Sequence, residues 1–476
     1  MKQSGDFRIE HDIAGELPVP ADAYYGAQTL RALENFQITG QRLHPEMIRN
    51  LVLIKKAAAI VNCEAGVLPP RIADAIAAAC DELLSGDLSG QFPVDPIQGG
   101  AGTSANMNAN EVIANRAIEL MGGNKGDYSL VHPNDHVNCG QSTNDVYPSC
   151  GKMTAVKLLK GLEAALSVLQ KSLEEKAVSF SHVIKMGRTQ LQDAVPIRLG
   201  QEFRAWAKAV SRDICRLRFA GKDMHVLNLG GTAIGTGINA AAFYTKNIVH
   251  AVSGLSNESY TQAEDLIDST QNLDCYTWVS GALKSCAVNL SKMCNDLRLL
   301  SSGPRAGLGE ITLPVRQNGS SIMPGKVNPV IPEVVNQIAF SVIGNDTAIT
   351  LAAEAGQLEL NAFEPVIFHK LFESITMLTG GVLTLTENCI KGIKANEKRC
   401  RKQVEESAGI VTALCPYIGY ARAASLAKEA LSSGMSVKAL ALRDGLFSEQ
   451  EIQEVLDPYT MTMVKDMQHE AFTAVP

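Results

Sequence analysis

Aromatic residues are scarce in this chain of 476 residues: they make up 5%, and tryptophan occurs only at Trp206 and Trp278. A large core must therefore be built from Leu, Ile, Val, Ala and Met, which suits the packing of helices. No run of about 18 apolar residues occurs, so we expect no membrane partner. The first twelve residues are charged and lack an apolar stretch, so we expect no signal peptide.

Paired cysteines and strong basic charge are also missing. The 11 cysteines are scattered and never form Cys-x-x-Cys, which excludes zinc ribbons and dithiol redox motifs. Scattered thiols in a long chain predict a cytoplasmic location. The formal charge of −7 argues against a nucleic-acid partner, because such a partner needs a basic face. A small anionic substrate stays compatible with this charge, since local charge at a site can oppose the net charge.

Five long segments with helical periodicity dominate the middle of the chain. They are residues 151–178, 199–223, 274–301, 332–355 and 361–393. Each is well above the mean helix length of about 11–12 residues. Some carry apolar residues around most of their circumference, and such helices are buried on several sides. The sequence therefore predicts a mainly α protein whose helix bundle packs against copies of itself.

Shorter elements flank these segments. The first 45 residues contain many turn formers and are predicted to be irregular, with room for short strands. Helical patterns follow over residues 45–85, with a break at Pro69-Pro70, and over 106–121, whereas 132–136 is predicted to be a turn. Beyond residue 394 the helices become short. We therefore predict three domains: a mostly helical N-terminal domain (1–141), a long-helix bundle (142–396) and a small helical C-terminal domain (397–476).

The most informative segment is Gly-Ser-Ser-Ile-Met-Pro-Gly-Lys-Val-Asn-Pro, residues 319–329, which we call the base loop. Its glycines permit unusual backbone shapes, and free amides near a helix start can bind an anion. The loop also contains two hydroxyls, one ammonium and one amide. Such groups can bind a carboxylate whose negative charge grows during a reaction. A P-loop is excluded, because five residues rather than four separate Gly319 from Gly325 and Val327 replaces Ser/Thr.

The base loop resembles the signature of the aspartase/fumarase superfamily of lyases. Other stretches resemble the same family, in order along essentially the whole chain: residues 8–26, 99–110, 134–145, 187–196, 230–239 and 295–307. The resemblance implies three domains around a central five-helix bundle, which four subunits combine into a twenty-helix core. It also implies that three subunits contribute to each active site, that the substrate is a small dicarboxylate, and that no cofactor is required.

Roles for individual residues follow from the resemblance. It implies that Ser320 is the general base, which removes a proton from the carbon beside a carboxylate. Lys326 and Asn328 would hold that carboxylate as it becomes doubly anionic. The remaining predicted substrate-binding residues are Thr103, Ser142, Thr143, Asn144, Thr189, Gln190 and Ser321.

Gln190 bears on the choice of reaction. Fumarases have a histidine at the matching position, whereas an amide cannot give up a proton at neutral pH. Departing hydroxide needs an acid, but an amino group leaves as neutral ammonia. We therefore expect elimination of ammonia from L-aspartate to give fumarate. Thr143 favours the same reaction, since fumarases usually carry serine there. Hydration of fumarate is the alternative activity, and an inactive structural or binding homologue is the alternative of another class.

Two other patterns are given structural interpretations. His132 and His136 have the spacing of a metal pair on a helix, but Pro133 opposes a helix there and we predict no metal site. Gly230, Gly231, Gly235 and Gly237 lack the spacing and the preceding strand of a dinucleotide-binding motif. Close packing of backbone segments is the better interpretation of that cluster.

Overall fold

The computed structural model describes residues 6–463 and is mainly helical, as predicted. The α-helices are α1 (Ala27–Asn35), α2 (Pro45–Glu64), α3 (Pro70–Ser85), α4 (Thr103–Leu120), α5 (Thr143–Ser179), α6 (Leu199–Ala220), α7 (Ala242–Ser256), α8 (Asp268–Gln271), α9 (Asp274–Leu300), α10 (Val330–Glu354), α11 (Glu364–Asn388), α12 (Glu397–Glu406), α13 (Cys415–Ile418), α14 (Tyr420–Ser433), α15 (Val437–Arg443), α16 (Glu449–Val455) and α17 (Pro458–Met461). The strands pair as β1 (Phe7–Asp12) with β2 (Gly15–Pro20), β3 (Ile184–Thr189) with β4 (Gln192–Arg198), β5 (Val226–Leu227) with β6 (Thr261–Gln262), and β7 (Ile311–Thr312) with β8 (Lys394–Ala395).

The five predicted long helices are present as α5, α6, α9, α10 and α11. The N-terminus of α5 departs most from prediction, because the helix begins at Thr143 and contains Pro148. A proline inside a helix removes the hydrogen bond to the carbonyl four residues earlier. Here that carbonyl, on Asn144, accepts a hydrogen bond from Asn228 Nδ2 at 3.0 Å. The helix therefore continues through Pro148, because a distant side chain satisfies the carbonyl that proline leaves free.

Side-chain contacts join these five helices into the predicted bundle. Tyr276 on α9 donates to the Pro148 carbonyl of α5 at 2.8 Å, and its ring packs against Phe368 of α11. Asp346 of α10 accepts a hydrogen bond from Ser280 of α9. Asn289 of α9 donates to Asp213 of α6. The helices thus contact one another through buried aromatic and polar groups as well as through the aliphatic core.

The N-terminal region is more ordered than predicted. An antiparallel hairpin joins β1 to β2, and helix α1 follows within residues that were predicted to be irregular. The carboxylate of Glu111, on α4, accepts hydrogen bonds from the amides of Gly26, Gln28 and Thr29 at the start of α1. This cap lies more than 80 residues away in sequence, so no local pattern could reveal it.

The predicted turn at residues 132–136 is instead one turn of π-helix, Pro133–Val137. That prediction was wrong, because proline is tolerated at the first position of a helical turn, where its missing N–H is not needed. His132 caps the turn by accepting from the amides of Asn134 and Asp135. His136 Nδ1 in turn accepts from the His132 amide at 2.8 Å.

The chain divides into two compact units whose boundaries cross the long helices. The first comprises the chain up to Glu163 with Cys215–Ala287 and Phe340–Thr379. The second comprises Ala164–Ile214, Val288–Ala339 and the chain from Gly380 onward. The division into domains 1–141, 142–396 and 397–476 stays a prediction, and its last thirteen residues, 464–476, lie outside the described residues.

In the second unit, the short C-terminal helices pack around the hairpin of β3 and β4. Ile184 and Met186 belong to one apolar cluster with Leu414, Leu426 and Leu440. The base of the hairpin is therefore packed into the apolar cluster, whereas its tip is exposed.

One segment, Glu364–Gly392, is long and apolar enough to cross a membrane by length and composition alone. Half of its most apolar window is buried inside the chain. The helix it contains, α11, is also the one whose Phe368 packs against Tyr147 of α5. Such burial is typical of the core helix of a bundle.

Candidate active site

Thr103 opens helix α4 in the first unit. Its Oγ1 donates to the Gly100 carbonyl at 2.7 Å, and its side chain is exposed. Gly100, Ala101 and Gly102 have φ values of +82°, +54° and +89°. A Cβ on Gly102 would lie 2.5 Å from the ring of Tyr147 on α5. The glycine therefore lets the start of α4 approach the first turns of α5.

Ser142, Thr143 and Asn144 form the N-terminus of α5. Ser142 Oγ accepts from the Asn144 amide at 3.2 Å, while the Ser142 amide donates to Asp145 Oδ1 at 2.9 Å. Asn144 Nδ2 donates a hydrogen bond to the Ala233 carbonyl at 2.7 Å. The hydroxyl oxygen of Thr143 accepts from Asn106 Nδ2 at 3.1 Å. Thr143 is buried, and across the described residues its hydroxyl donates no hydrogen bond, so its proton is available to a ligand.

Asn106 lies one turn after Thr103 on α4, so it connects two predicted parts of the site. Its amide group also donates to Asn138 Oδ1 at 3.2 Å. Asn138 in turn donates to the Gln141 carbonyl at 3.1 Å, directly before Ser142. A continuous hydrogen-bond network through Asn106 and Asn138 therefore holds the N-terminus of α5 in place.

Lys55, on α2, is a buried cation at the centre of this network and was not predicted. Its side chain is fully buried, and Nζ donates to Asn138 Oδ1 at 2.8 Å and to Gln141 Oε1 at 3.0 Å. Burial lowers the pKa of Lys55 to about 7, against the attraction of the Asp145 carboxylate. When protonated, Lys55 adds positive charge beneath a helix N-terminus that already favours anions.

Thr189 and Gln190 lie in the second unit, at the exposed tip of the hairpin. Thr189 pairs with Gln192, so Gln190 and Leu191 form a two-residue turn, with φ values of +54° and +63°. Such turns favour Asn-Gly, because both central residues need positive φ. Each non-glycine residue held there costs about 1–3 kcal/mol. The backbone is therefore strained at the residue that we expect to select the reaction.

The base loop, also in the second unit, is closed by its own hydrogen bonds. The Gly319 amide donates to the Lys326 carbonyl at 3.0 Å, and Asn328 Nδ2 donates to the Gly319 carbonyl at 2.7 Å. A Cβ on Gly319 would lie 2.3 Å from the Lys326 carbonyl oxygen. Glycine is therefore required where the two ends of the loop meet.

Ser320 Oγ accepts hydrogen bonds from the amides of Ile322 at 3.2 Å and Met323 at 3.0 Å. Donors directed at a hydroxyl oxygen stabilise its alkoxide more than its neutral form. Ser321 and Lys326 are exposed, and Lys326 has no ion-pair partner within residues 6–463. The geometry thus provides an activated hydroxyl, with an uncommitted ammonium six residues further along the chain.

The structure brings some predicted residues together and leaves others apart. Thr103 and Ser142–Asn144 are linked through Asn106 in the first unit. Across the described part of the second unit, no hydrogen bond joins the Thr189–Gln190 turn to the base loop. The roles of all these residues in substrate binding stay predictions.

The glycine cluster has the structural role that we predicted. A Cβ on Gly235 would lie 2.4 Å from the Ile267 amide nitrogen, and one on Gly231 would lie 3.0 Å from the Asn228 carbonyl oxygen. The amides of Gly230 and Thr232 donate to Asp145 Oδ2 at 2.9 and 3.2 Å. The segment therefore packs closely against the start of α5.

Among residues 6–463, no three His, Cys, Asp or Glu side chains are placed to hold a metal ion.

Comparisons with known proteins agree with this arrangement. A family model described as Lyase matches residues 15–344, and one described as Fumarase C C-terminus matches residues 410–463. An aspartate ammonia-lyase of a Bacillus species is 54% identical over 457 residues, covering 96% of this chain and 98% of that protein. The aspartate ammonia-lyase of Escherichia coli K12 is 50% identical, with 99% and 98% covered.

Solved structures share the whole fold. The fumarate lyase:delta crystallin of Brucella melitensis, in its crystal structure bound to cobalt, has a TM-score of 0.94 at 50% identity, covering 96% of this chain and 100% of that chain. The class II fumarase of Schistosoma mansoni has a TM-score of 0.92 at 32% identity, covering 96% and 99%. The chain therefore belongs to the aspartase/fumarase superfamily of lyases.

Proposed function

We propose that this enzyme catalyses the reversible elimination of ammonia from L-aspartate to give fumarate. Ser320 removes a proton from the carbon beside the side-chain carboxylate of L-aspartate. In the resulting intermediate, that carboxylate carries two negative charges. The bond between the neighbouring carbon and nitrogen then breaks and the amino group leaves as ammonia. The observation that carries the proposal is the intact base loop, in which two backbone amides are directed at Ser320 Oγ.

The other predicted residues supply charge and orientation. Lys326 faces solvent and can approach the carboxylate whose charge grows during the reaction. Thr143 has a hydroxyl proton to donate, at a helix N-terminus that Lys55 makes more positive. Asn328 donates one side-chain N–H to the Gly319 carbonyl, which closes the base loop, and its second N–H can bind a ligand.

Ammonia chemistry is favoured over water chemistry by the residue at position 190. Gln190 has no proton to give to a departing hydroxide, whereas ammonia needs none. The aspartate ammonia-lyases match this chain at 50–54% identity, compared with 32% for the Schistosoma fumarase. Hydration of fumarate is therefore the second candidate activity.

We also propose that four copies of the chain assemble and that three of them contribute to each active site. Large apolar side chains lie exposed on the long helices, among them Phe219 at 60%, Trp278 at 55% and Phe340 at 64%. Phe219 and Trp278 line a groove of about 580 Å³ between α6 and α9. Further copies of the same helices would cover this apolar surface. The eleven free thiols support a cytoplasmic location.

Paired initial rates on L-aspartate and L-malate test the reaction, with fumarate absorbance as the readout. We expect fumarate from L-aspartate and little from L-malate. Faster turnover of L-malate would replace the proposal with the hydratase, and no turnover of either would favour an inactive homologue.

Ser320→Ala tests the base. It should remove nearly all turnover and leave the oligomer intact in light scattering, because a loop hydroxyl contributes little to folding. Ser321→Ala, which removes the neighbouring hydroxyl, is the matched control and should retain more activity. If Ser320→Ala kept more than about a tenth of kcat, the hydroxyl would supply under about 1.4 kcal/mol of barrier lowering and could not be the base.

A further inference from the structure

A buried ion network adjoins the end of strand β3, next to the strained turn at Gln190. Glu310 has no exposed side-chain surface, and its carboxylate is 2.6 Å from Arg188 Nη1 and 3.1 Å from Lys185 Nζ. Lys185 is also paired with Glu202 at 2.7 Å. Arg188 Nε also lies 3.7 Å from Asp193 Oδ1 on β4. Two cations are thus paired with three carboxylates, and Arg188 is the residue immediately before Thr189.

A buried network of this kind is weak evidence for a role in stability. Removing charged groups from water costs several kcal/mol for each ion, so apolar packing of the same volume is often as stable. A fixed ion network instead restricts the geometry of the groups it holds. The group held here is the end of strand β3, where the register shifts between Met186 and Arg188 before the turn begins.

Glu310 is itself firmly anchored in the second unit. Its amide donates to the Leu300 carbonyl at 2.9 Å, and its carbonyl accepts from the Asn396 amide at 2.8 Å. The same residue therefore joins the end of α9, the start of α12 and, through Arg188, the hairpin tip.

We propose that Glu310 is a positioning residue that acts through Arg188 to hold the Thr189–Gln190 turn in its strained conformation. Gln190 and Leu191 have no glycine to relax the positive φ values. Strained residues of this kind persist where surrounding structure over-determines them. The charge-assisted hydrogen bond from Arg188 to Glu310 supplies that constraint two residues before Gln190. The inference rests on the proposed function only in taking Gln190 as the residue that faces substrate.

Glu310→Gln is the direct test, because it keeps the shape of the side chain and removes its charge. An amide N–H would then face Lys185 or Arg188, and the constraint on the turn would weaken. We expect faster hydrogen exchange in the peptide that covers residues 187–192. We also expect kcat/KM for L-aspartate to fall on the order of tenfold, as misplaced binding groups do. Glu310→Asp, which restores the charge, should recover part of this loss and serves if the glutamine variant folds poorly.

A double-mutant cycle distinguishes positioning from general structural damage. If Glu310 acts through the turn, combining Glu310→Gln with Gln190→Ala should lower kcat/KM little further than the larger single change. Asp346→Asn is the matched control: it removes a carboxylate that is paired with Lys284 in the helix bundle. Its effect should add to that of Gln190→Ala and leave exchange at 187–192 unchanged.

The outcomes separate the inference from the proposed function. An additive cycle, or unchanged exchange at residues 187–192 in Glu310→Gln, overturns the positioning role even when the parent enzyme deaminates aspartate. A parent that releases no fumarate from aspartate overturns the reaction instead. The exchange measurement still decides the positioning role in that event, because it does not depend on turnover.

Discussion

Replacing Lys55 with methionine should make the protein more stable and less active. The ammonium of Lys55 is fully buried, so the folded state has to hold a charge away from water. Methionine is similar in length, apolar and flexible enough to fill the same space. The change therefore removes an unfavourable charge from the core and a favourable one from beneath the N-terminus of α5.

The magnitude follows from the pKa of Lys55, which falls from 10.5 to about 7 on burial. At about 1.4 kcal/mol for each pKa unit, this difference disfavours the folded state by about 5 kcal/mol wherever Lys55 is protonated in both states. Methionine leaves Gln141 Oε1 without this donor, which costs about 1–3 kcal/mol. Asn138 Oδ1 keeps its donors Asn106 and Asn110. We therefore expect the variant to gain about 2–4 kcal/mol at pH 6.

The pH dependence provides the stricter test. Between pH 7 and 10.5 the unfolded chain binds the Lys55 proton and the folded protein releases it, so the stability of the parent rises with pH. The advantage of Lys55→Met should therefore shrink by about 1.4 kcal/mol for each pH unit in this window. Below pH 7 both states of the parent are protonated, and the advantage should be constant.

Chemical unfolding at one fixed protein concentration, from pH 6 to 9.5, measures this difference, because association shifts apparent stability. Lys56→Met is the matched control: Lys56 follows on the same helix and pairs with the exposed Asp81. It should show no comparable pH-dependent difference. A Lys55→Met variant that is less stable than the parent at pH 6, or whose advantage does not vary with pH, would show that the buried ammonium does not destabilise the folded state. Initial rates should show a higher KM for L-aspartate.

Two other variants test separate parts of the molecule. Lys326→Ala removes the ammonium that we propose faces the reacting carboxylate and should lower kcat/KM for L-aspartate by about 10²–10³-fold; parental activity in initial-rate assays would mean that Lys326 has a structural role. Glu111→Gln places an amide N–H against the donors of Gly26, Gln28 and Thr29. It should destabilise the protein by about 1–3 kcal/mol in chemical unfolding, and an unchanged unfolding midpoint would show that this cap contributes nothing.

The long helices were predictable because their periodicity extends over many turns. Helix α9 (Asp274–Leu300) ends one residue from the predicted boundary. The error at α5 was larger, since Pro148 and Gly151 indicate a break when only neighbouring residues are considered. A hydrogen bond from Asn228 to the freed Asn144 carbonyl removes that break. A contact between residues 84 positions apart is not readable from local sequence.

The base loop was predictable for a different reason: its residue types are unusual together and occur within eleven positions. The supporting residues gave weaker signals. Lys55 and Lys56 are adjacent lysines on one helix, and residue type alone does not distinguish them. Helix phase does not distinguish them either. Lys55 lies four residues after Leu51 and three before Ala58, and Lys56 lies in the same relation to the equally apolar Val52 and Ala59. Only the fold shows that Lys55 is the buried cation.

Glu310 could not be found from residue type or helix phase either. It is 122 residues from Arg188 in sequence and lies beside a two-residue strand, with no periodic pattern around it. Only the fold shows that its carboxylate lies against the last residues of β3. The same is true of Gln190: its residue type indicated which leaving group is compatible, but its positive φ is a property of the turn.

Buried charge serves a similar purpose in each unit taken by itself. In the first unit, Lys55 lies beneath the helix N-terminus that carries Ser142, Thr143 and Asn144, and its protonated form lowers stability. In the second, Glu310 lies beneath the turn that carries Thr189 and Gln190, within a network whose desolvation is costly. Apolar residues in place of Lys55, or in place of the whole ion network around Glu310, would often give a core about as stable. Charged groups that reduce stability beneath predicted ligand-binding residues are therefore best explained by what they do to those residues: protonated Lys55 raises the local positive potential, and Glu310 fixes the direction of the turn through Arg188, before substrate arrives.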